Sequence, residues 1–385
     1  MSDLLLEPGT VESAAAEVGR CAREKLRVVF AGGGTEPGIG GPLQGQSPLA
    51  TLSTRKLSRI VECKPSDQVV TVEAGVTLAA LQRTLAENQQ RLSLDPPLAE
   101  RATLGGIIAA NSFGPLRARF GSIRDLIIGI SLVRADGTVA RGGGKVVKNV
   151  AGFDLPKLMC GSLGTLGLIA TATLRVHPLP ELSETLLVRG QSPAQVRALC
   201  QQLSAAQLEP TSVVALGESG ACTVAVRFEG FGPGVRQMRD KLRAGASCEL
   251  LDEKSARLFW QRHDALRTGG TLRVKITAPA SAIEQVFAAF APARAALSGA
   301  ALIWYATLGL GFITGTPTPA AAAALSSLRA ALVQLGGALT VHAAPDSLQF
   351  DPWGPLPAAA SLMRTVKNRF DPDNRLAPGR LLGGA

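Results

Sequence analysis

Apolar and polar positions in the first part of this chain mark short strands separated by glycine-rich joints. Leu26 to Phe30 reads as a short buried strand and ends in Ala31-Gly32-Gly33-Gly34-Thr35. Pro37, Gly38, Gly40, Gly41 and Pro42 follow at once and forbid a helix there. Val69 to Glu73 alternates with period two, as a strand does, and Thr77 to Asn88 has the period of an amphipathic helix with Thr77 at its N-cap. Thr103 is placed to cap a second helix, Leu104 to Asn111, made almost wholly of small and apolar residues. Ile127 to Arg134 reads as a hairpin arm that turns at Asp136-Gly137 and continues into Thr138-Val139. Leu166 to Val176 predicts one more strand.

Beyond residue 180 the pattern changes and then repeats. Strand 184–189, helix 192–205, strands 211–217 and 222–229, helix 233–244 and strand 247–251 give β-α-β-β-α-β. The same order returns as strand 271–277, helix 280–297, strands 301–307 and 309–314, helix 318–335 and strand 338–343. Six consecutive elements recurring at an offset of about ninety residues mark an internal duplication. Each copy has the split βαβ order of a ferredoxin-like fold, which covers one sheet face with two helices and leaves the other available to roof a ligand. A helix near 253–267 joins the copies, and residues 345–385 form a proline-punctuated tail ending in FDPDNRLAPGRLLGGA. The predicted fold class is α+β, with domains at 1–180 and 181–344 and a C-terminal segment at 345–385 that packs back on the first domain.

Composition narrows the function classes. With 385 residues, 46% of them hydrophobic, the chain can bury a substantial core. No window of eighteen uninterrupted apolar residues predicts a membrane span. The opening MSDLLLEPGT lacks a basic segment followed by an apolar one, so a cytoplasmic protein is expected, with peripheral association at the inner face of the membrane left open. The formal charge of +10 suits an acidic partner, an anionic membrane face or an anionic ligand, or is simply a solvated surface. Nucleic acid is disfavoured, because aromatics are 4% and no basic run is interleaved with stacking rings. The six cysteines, at 21, 63, 160, 200, 222 and 248, include no C-x-x-C pair, so no metal or iron–sulfur site is predicted and buried thiols are expected.

Three glycine-rich segments are the candidate chemistry. In the first, Gly32, Gly33, Gly34 and Thr35 let backbone N–H groups converge on an anion; a plain surface turn is the alternative. A Rossmann fingerprint would need a helix directly after the glycines, which Pro37 and Gly38 exclude. In the second, Gly105 and Gly106 stand at a helix start, where free amides and the positive dipole end favour an anion; a tightly packed Gly/Ala helix is the alternative. Asn111, Gly114, Arg124 and Asp125 follow, and Arg124 and Asp125 are placed to pair and pin the loop. The third runs from Gly144-Lys145-Val146-Val147-Lys148-Asn149 through Phe153 to Cys160-Gly161-Ser162-Leu163-Gly164-Thr165-Leu166-Gly167. A β-branched run follows it, so an adenosine along a strand edge fits better than a dinucleotide helix.

In order and spacing these segments, with the tail FDPDNRLAPGR, resemble the FAD-binding domain of the vanillyl-alcohol oxidase/PCMH flavoproteins. The resemblance covers about residues 26–178 and 366–380. Within that family RGGGKVVKNVAGFDLPKLMCGSLGTLGLI is most similar to the FAD-binding subunits of glycolate oxidase complexes. The resemblance implies a PCMH-type domain holding noncovalent FAD, since no histidine or cysteine lies in 31–45 or 102–122. It implies that Gly32, Gly33, Gly34 and Thr35 hold the pyrophosphate with Thr103, Gly105 and Gly106. Asn111, Gly114 and Asp125 would also bind the cofactor, and Gly164, Thr165 and Ile169 would face the adenosine. It further implies oxidation of glycolate or another small 2-hydroxy acid to the keto acid, with a catalytic flavoprotein subunit and an iron–sulfur subunit as partners. A stand-alone FAD oxidoreductase and a catalytically silent scaffold subunit remain open alternatives. The sequence departs from the larger catalytic relatives in having only His177, His263 and His342, and it has Ala377 where the family's tail carries asparagine.

Hydroxy-acid oxidation needs a base for the hydroxyl and a cation for the carboxylate. Arg273 and Lys275 alternate on one face of a strand and are the cation candidates, unless that face simply meets solvent. His342, late in the last strand, is the candidate base, with a structural role as the alternative. His263, Arg262 and Arg267 on the linking helix are expected to face water or a partner, and Trp304 and Tyr305 to pack in the core. Lys367, Arg375 and Arg380 in the tail are expected to neutralise phosphate or to dock onto another subunit.

Overall fold

The computed structural model describes residues 4–145, 152–218 and 221–384. They form two compact units. The first comprises residues up to Gly114, Gly121–Leu179 and Pro355 onward; the second comprises Pro115–Phe120 and Pro180–Gly354. The α+β reading holds in both.

In the first unit a three-stranded parallel sheet runs in the order Leu4–Leu6, Leu49–Ser53, Arg27–Ala31. The helix Val11–Arg23 feeds it and starts at a capping box in which Thr10 and Ser13 satisfy each other's amides. Its apolar stripe, Ala14, Val18 and Cys21, packs with Val28, Ala50, Leu52 and Leu168. This helix and the strands Leu49–Ser53 and Ile60–Lys64 go beyond the elements expected from the pattern, although the spacing of Ala14, Val18 and Cys21 carries a helical signal. The tail extends the sheet on its open side: Val28 N donates to Arg375 O at 2.8 Å, and Ala377 N donates to Val28 O at 2.8 Å.

A five-stranded antiparallel sheet in the order Ile60–Lys64, Val69–Glu73, Leu168–Arg175, Ile127–Val133, Val139–Gly143 completes the unit. The two predicted helices pack on it as Leu78–Ala86 and Leu104–Ala110. Both threonine caps form: Thr77 Oγ1 accepts from Ala80 N at 3.2 Å and Thr103 Oγ1 from Gly106 N at 3.4 Å. Leu78, Leu81 and Leu85 of one helix and Leu104, Ile107 and Ile108 of the other share a buried core with Val70, Val72 and Leu174.

The second unit is built on one antiparallel sheet of eight strands. Its order is Glu249–Leu250, Leu182–Gln191, Ala221–Gly230, Ser212–Glu218, Leu297–Tyr305, Leu310–Pro317, Leu272–Thr277, Ala338–Ala343. Each half therefore has the 4-1-3-2 order of a ferredoxin-like sheet, and the halves join through their second strands, with Val214 opposite Tyr305 and Leu216 opposite Ile303. Merging removes two exposed edges that separate repeats would have to protect. Helices Pro193–Ala205, Gly232–Gly245, Ile283–Ala295 and Ala321–Gln334 cover one face over Leu186, Val226, Val274, Ile276, Trp304 and Ile313.

The joining helix, Glu253–Thr268, lies on the other face. Here the structure corrects the sequence reading: His263 is fully buried and Arg267 nearly so, and only Arg262 of the three faces water. His263 Nε2 lies 3.2 Å from the Tyr305 hydroxyl and Nδ1 lies 2.9 Å from Asp264 Oδ1. Arg267 stacks over the Phe312 ring at 4.1 Å, and Thr314 Oγ1 donates to Leu266 O. The helix face that looks polar in sequence is the buried one, because Arg267 stacks on a sheet aromatic and His263 meets the Tyr305 hydroxyl instead of hydrating.

Burial pushes the His263 imidazole below its ordinary range, against the opposing pull of Asp264. The folded protein thus holds this ring neutral, while the unfolded chain takes up a proton near pH 6.5. Stability is then fully present above that pH and declines as pH falls through it, by at most about 1.4 kcal/mol per pH unit. A melting curve at pH 5.5 should show a lower Tm than one at 7.5, and His263→Gln should flatten that difference. An unchanged pH dependence in the variant would show that another group carries it.

Candidate cofactor site

A cleft of about 200 Å³, open to solvent, lies in the first unit between the Ala31–Ile39 loop, the Leu104–Ala110 helix and the approach to the Leu168–Arg175 strand. Gly32, Gly33, Gly34, Thr35, Thr103, Gly105, Gly106, Gly164 and Ile169 line it, so nine of the residues singled out in sequence come together. The remaining walls are largely apolar and include Val29, Phe30, Ile39, Ala109 and Leu168, suited to a flat ring system.

The glycine loop is held from behind. A Cβ on Gly33 would sit 1.7 Å from the Arg101 carbonyl oxygen, so only glycine permits this approach. Gly32 O accepts from Arg55 Nε at 3.1 Å, and Gly33 O and Gly34 O both accept from Arg101 Nη2 at 3.4 Å. No peptide bond among the described residues is cis. In a trans peptide the N–H points opposite to the preceding C=O, so the amides of Gly33, Gly34 and Thr35 are turned away from the arginines. Among the described residues none accepts a hydrogen bond from the amides of Gly32 to Thr35. A run of uncommitted N–H groups in a glycine turn is an anion nest, and it fits a pyrophosphate. Arg55 and Arg101 escape sequence reading, since nothing local ties either to the loop.

The second glycine segment behaves differently from expectation. Gly105 N donates to Ala74 O at 2.8 Å and Gly106 N to its cap, so these amides serve the fold. Gly105 is needed for packing, because a Cβ there would lie 2.7 Å from the Ala74 Cβ. Asn111, Gly114, Asp125 and Thr165 do not line the cleft. Asn111 ends the helix in the left-handed region, and Gly114 packs against Asp95. Asp125 accepts from Ser122 N at 2.8 Å while Arg124 donates to Lys157 O, so the expected Arg124–Asp125 pair does not form. Thr165 is fully buried, its hydroxyl donating to Ser162 O at 2.7 Å. Val146 to Ala151 of the third segment lie outside the described residues.

Of the tail cations only Arg380 reaches the cleft, where it donates to Pro37 O at 2.7 Å and Ile39 O at 2.8 Å. Arg375 donates to Ala135 O, and Lys367 is buried among backbone acceptors; both are structural and serve neither of their expected roles. All six cysteines are free thiols, and burial raises Cys160 to about 12 and Cys200 and Cys222 to about 11, which keeps them protonated and unreactive.

Arg273, Lys275 and His342 belong to the second unit. Arg273 stands opposite Thr314 and Lys275 opposite Phe312, on the sheet face that carries the joining helix. His342 meets the edge of the Phe312 ring at 5.8 Å between centroids.

Residues 2–143 match the FAD binding domain family. These residues carry a PCMH-type FAD-binding domain. The chain is 31% identical to glycolate oxidase subunit GlcE of Escherichia coli (strain K12) over 251 residues, 64% of this chain and 66% of that one. Glycolate oxidase subunit GlcD of Bacillus subtilis (strain 168) is 30% identical over 213 residues, 55% of this chain and 45% of the relative. The chain thus spans just under two thirds of one of these curated relatives and less than half of the other. A solved alkyldihydroxyacetonephosphate synthase superposes with a TM-score of 0.74 at 18% identity, covering 97% of this chain and 75% of that chain, which establishes a shared fold.

Proposed function

We propose that this flavoprotein is the FAD-binding subunit of a complex that oxidises glycolate, or a close 2-hydroxy acid, to the keto acid, and that it holds FAD noncovalently. The observation that carries the reading is the nest of uncommitted amides at Gly32 to Thr35 beside an apolar cleft, in a chain similar to a glycolate oxidase subunit over 64% of its length. Bound FAD supplies two-electron redox chemistry. The chain's own residues bind and orient it: the loop amides meet the pyrophosphate, Arg380 fixes the Pro37 and Ile39 carbonyls, and Thr103 anchors the helix beneath. Arg273 and Lys275 are assigned to the substrate carboxylate or to reduced-flavin charge, and His342 to the hydroxyl proton. A catalytic flavoprotein and an iron–sulfur protein are the proposed partners.

The test is the visible spectrum of the purified chain, before and after acid precipitation, with and without glycolate. Flavin that acid releases and that stays oxidised with glycolate is the expected result. Bleaching of the isolated chain by glycolate would favour a self-sufficient dehydrogenase, and protein that cannot be reconstituted with FAD would overturn the reading. In the reconstituted complex, Arg273→Ala with Lys275→Ala should lower turnover at least tenfold, about 1.4 kcal/mol of transition-state stabilisation. Unchanged turnover removes both residues from the chemistry.

A further inference from the structure

We infer that Arg101 and Arg55 are positioning residues for the cofactor pyrophosphate, acting from behind the glycine loop without touching the ligand. The inference deepens the FAD reading above and rests on it. Three consecutive carbonyls, those of Gly32, Gly33 and Gly34, are taken by these two side chains. Consecutive glycines have no side chains to restrict their dihedrals, so an isolated loop of this composition samples both orientations of each peptide plane. Flipping any of these three planes would carry a carbonyl oxygen, a partial negative charge, to the side where an anion must bind. The arginines oppose that flip, since it would break a charge-assisted hydrogen bond. The same contacts leave their positive charge within a few ångströms of the loop.

The main chain of Arg101 adds a second constraint. A Cβ placed on Gly33 would come within 1.7 Å of the Arg101 oxygen, so the loop rests directly on that peptide. Arg101 N in turn donates to Leu98 O at 2.8 Å, which fixes the turn that presents both the carbonyl and the guanidinium. Both side chains are exposed and neither lines the cleft, so replacing them removes the loop's outer fastening and leaves the apolar core intact.

The experiment measures FAD affinity of the full chain, stripped of flavin, by quenching of flavin fluorescence. Wild type, Arg55→Gln, Arg101→Gln, the double variant and Arg101→Lys are compared, each with its apo Tm. The double variant should bind FAD at least tenfold more weakly, with an apo Tm within about two degrees of wild type. Arg101→Lys should retain most of the affinity, because one ammonium donor can replace Nη2. Competition with ADP, which carries the pyrophosphate, should weaken by the same factor in the double variant, while competition with riboflavin, which carries none, should not change. Equal FAD affinity in wild type and double variant would overturn the inference. So would a loss shared equally by riboflavin, since that would mark general damage to the cleft. Should the double variant unfold, Arg55→Gln alone decides, with an expected weakening of about threefold for FAD and ADP. Failure of the wild type to bind FAD would instead overturn the cofactor reading itself, a distinct result.

Discussion

A Gly33→Val chain is expected to emerge colourless from purification, with flavin content below a tenth of wild type. The added Cβ would lie 1.7 Å from the Arg101 carbonyl oxygen, where backbone meets backbone and no flexible side chain can yield. The loop must then move by more than an ångström, and the amides of Gly33, Gly34 and Thr35 are displaced with it. Loss of even two charge-assisted contacts at about 1.5–3 kcal/mol each weakens binding at least a hundredfold. Absorbance at the flavin band relative to protein absorbance, followed by FAD titration of the apo chain, measures the effect. Gly105→Val should act through the core instead: its Cβ meets Ala74, so it should lower the apo Tm as well as the flavin content. Full flavin content in Gly33→Val would refute the placement of the pyrophosphate.

The second large effect is expected on stability. Lys367 and Asp371 are buried together, at 1% and 0% side-chain exposure, one helical turn apart. The Lys367 ammonium uses all three donors, on Asp371 Oδ2, Thr165 O and Leu376 O, while Asp371 Oδ2 also accepts from Leu376 N at 2.7 Å. Burial lowers the lysine pKa and Asp371 opposes it. Removing one member leaves the other charge buried without its counter-ion, which typically costs about 3–5 kcal/mol. Asp371→Ala should therefore lower Tm by on the order of 10 °C. The pair ties the tail to Thr165, beside cleft residue Gly164, so flavin loss should accompany the destabilisation. Lys367→Met with Asp371→Leu should recover much of the loss, because no charge is then stranded. A single variant within 1 kcal/mol of wild type would show that water reaches the pair.

Much of this molecule is legible in the residues because it depends on local chemistry. The threonine caps at Thr77 and Thr103, the hairpin after Ile127 and the βαββαβ order all follow from hydrogen-bonding side chains and apolar periodicity within short windows. The glycine run from Gly32 to Gly34, which lets the backbone approach closely, is legible for the same reason. What misleads is also local: Gly105 and Gly106 at a helix start look like free donors, yet Ala74 O and the Thr103 hydroxyl, brought in by neighbouring strand and cap, take them. His263 and Arg267 look solvated because a polar helix face says nothing of aromatic rings about forty residues away.

The duplicated second half, most of the element order and the run of glycines in the loop are written in residues that are neighbours along the chain, so the residues alone reveal them. Folding in three dimensions settles the rest: which amides stay uncommitted, that Arg55 and Arg101 hold the loop from behind, and that Lys367 is a buried clamp and Arg380 a wall of the cleft. Those facts depend on which carbonyl meets which donor, across separations as long as 23 residues for Arg55 and 343 for Arg380. Backbone hydrogen-bond partners at such distances are chosen by packing, and packing leaves no mark at the positions it connects.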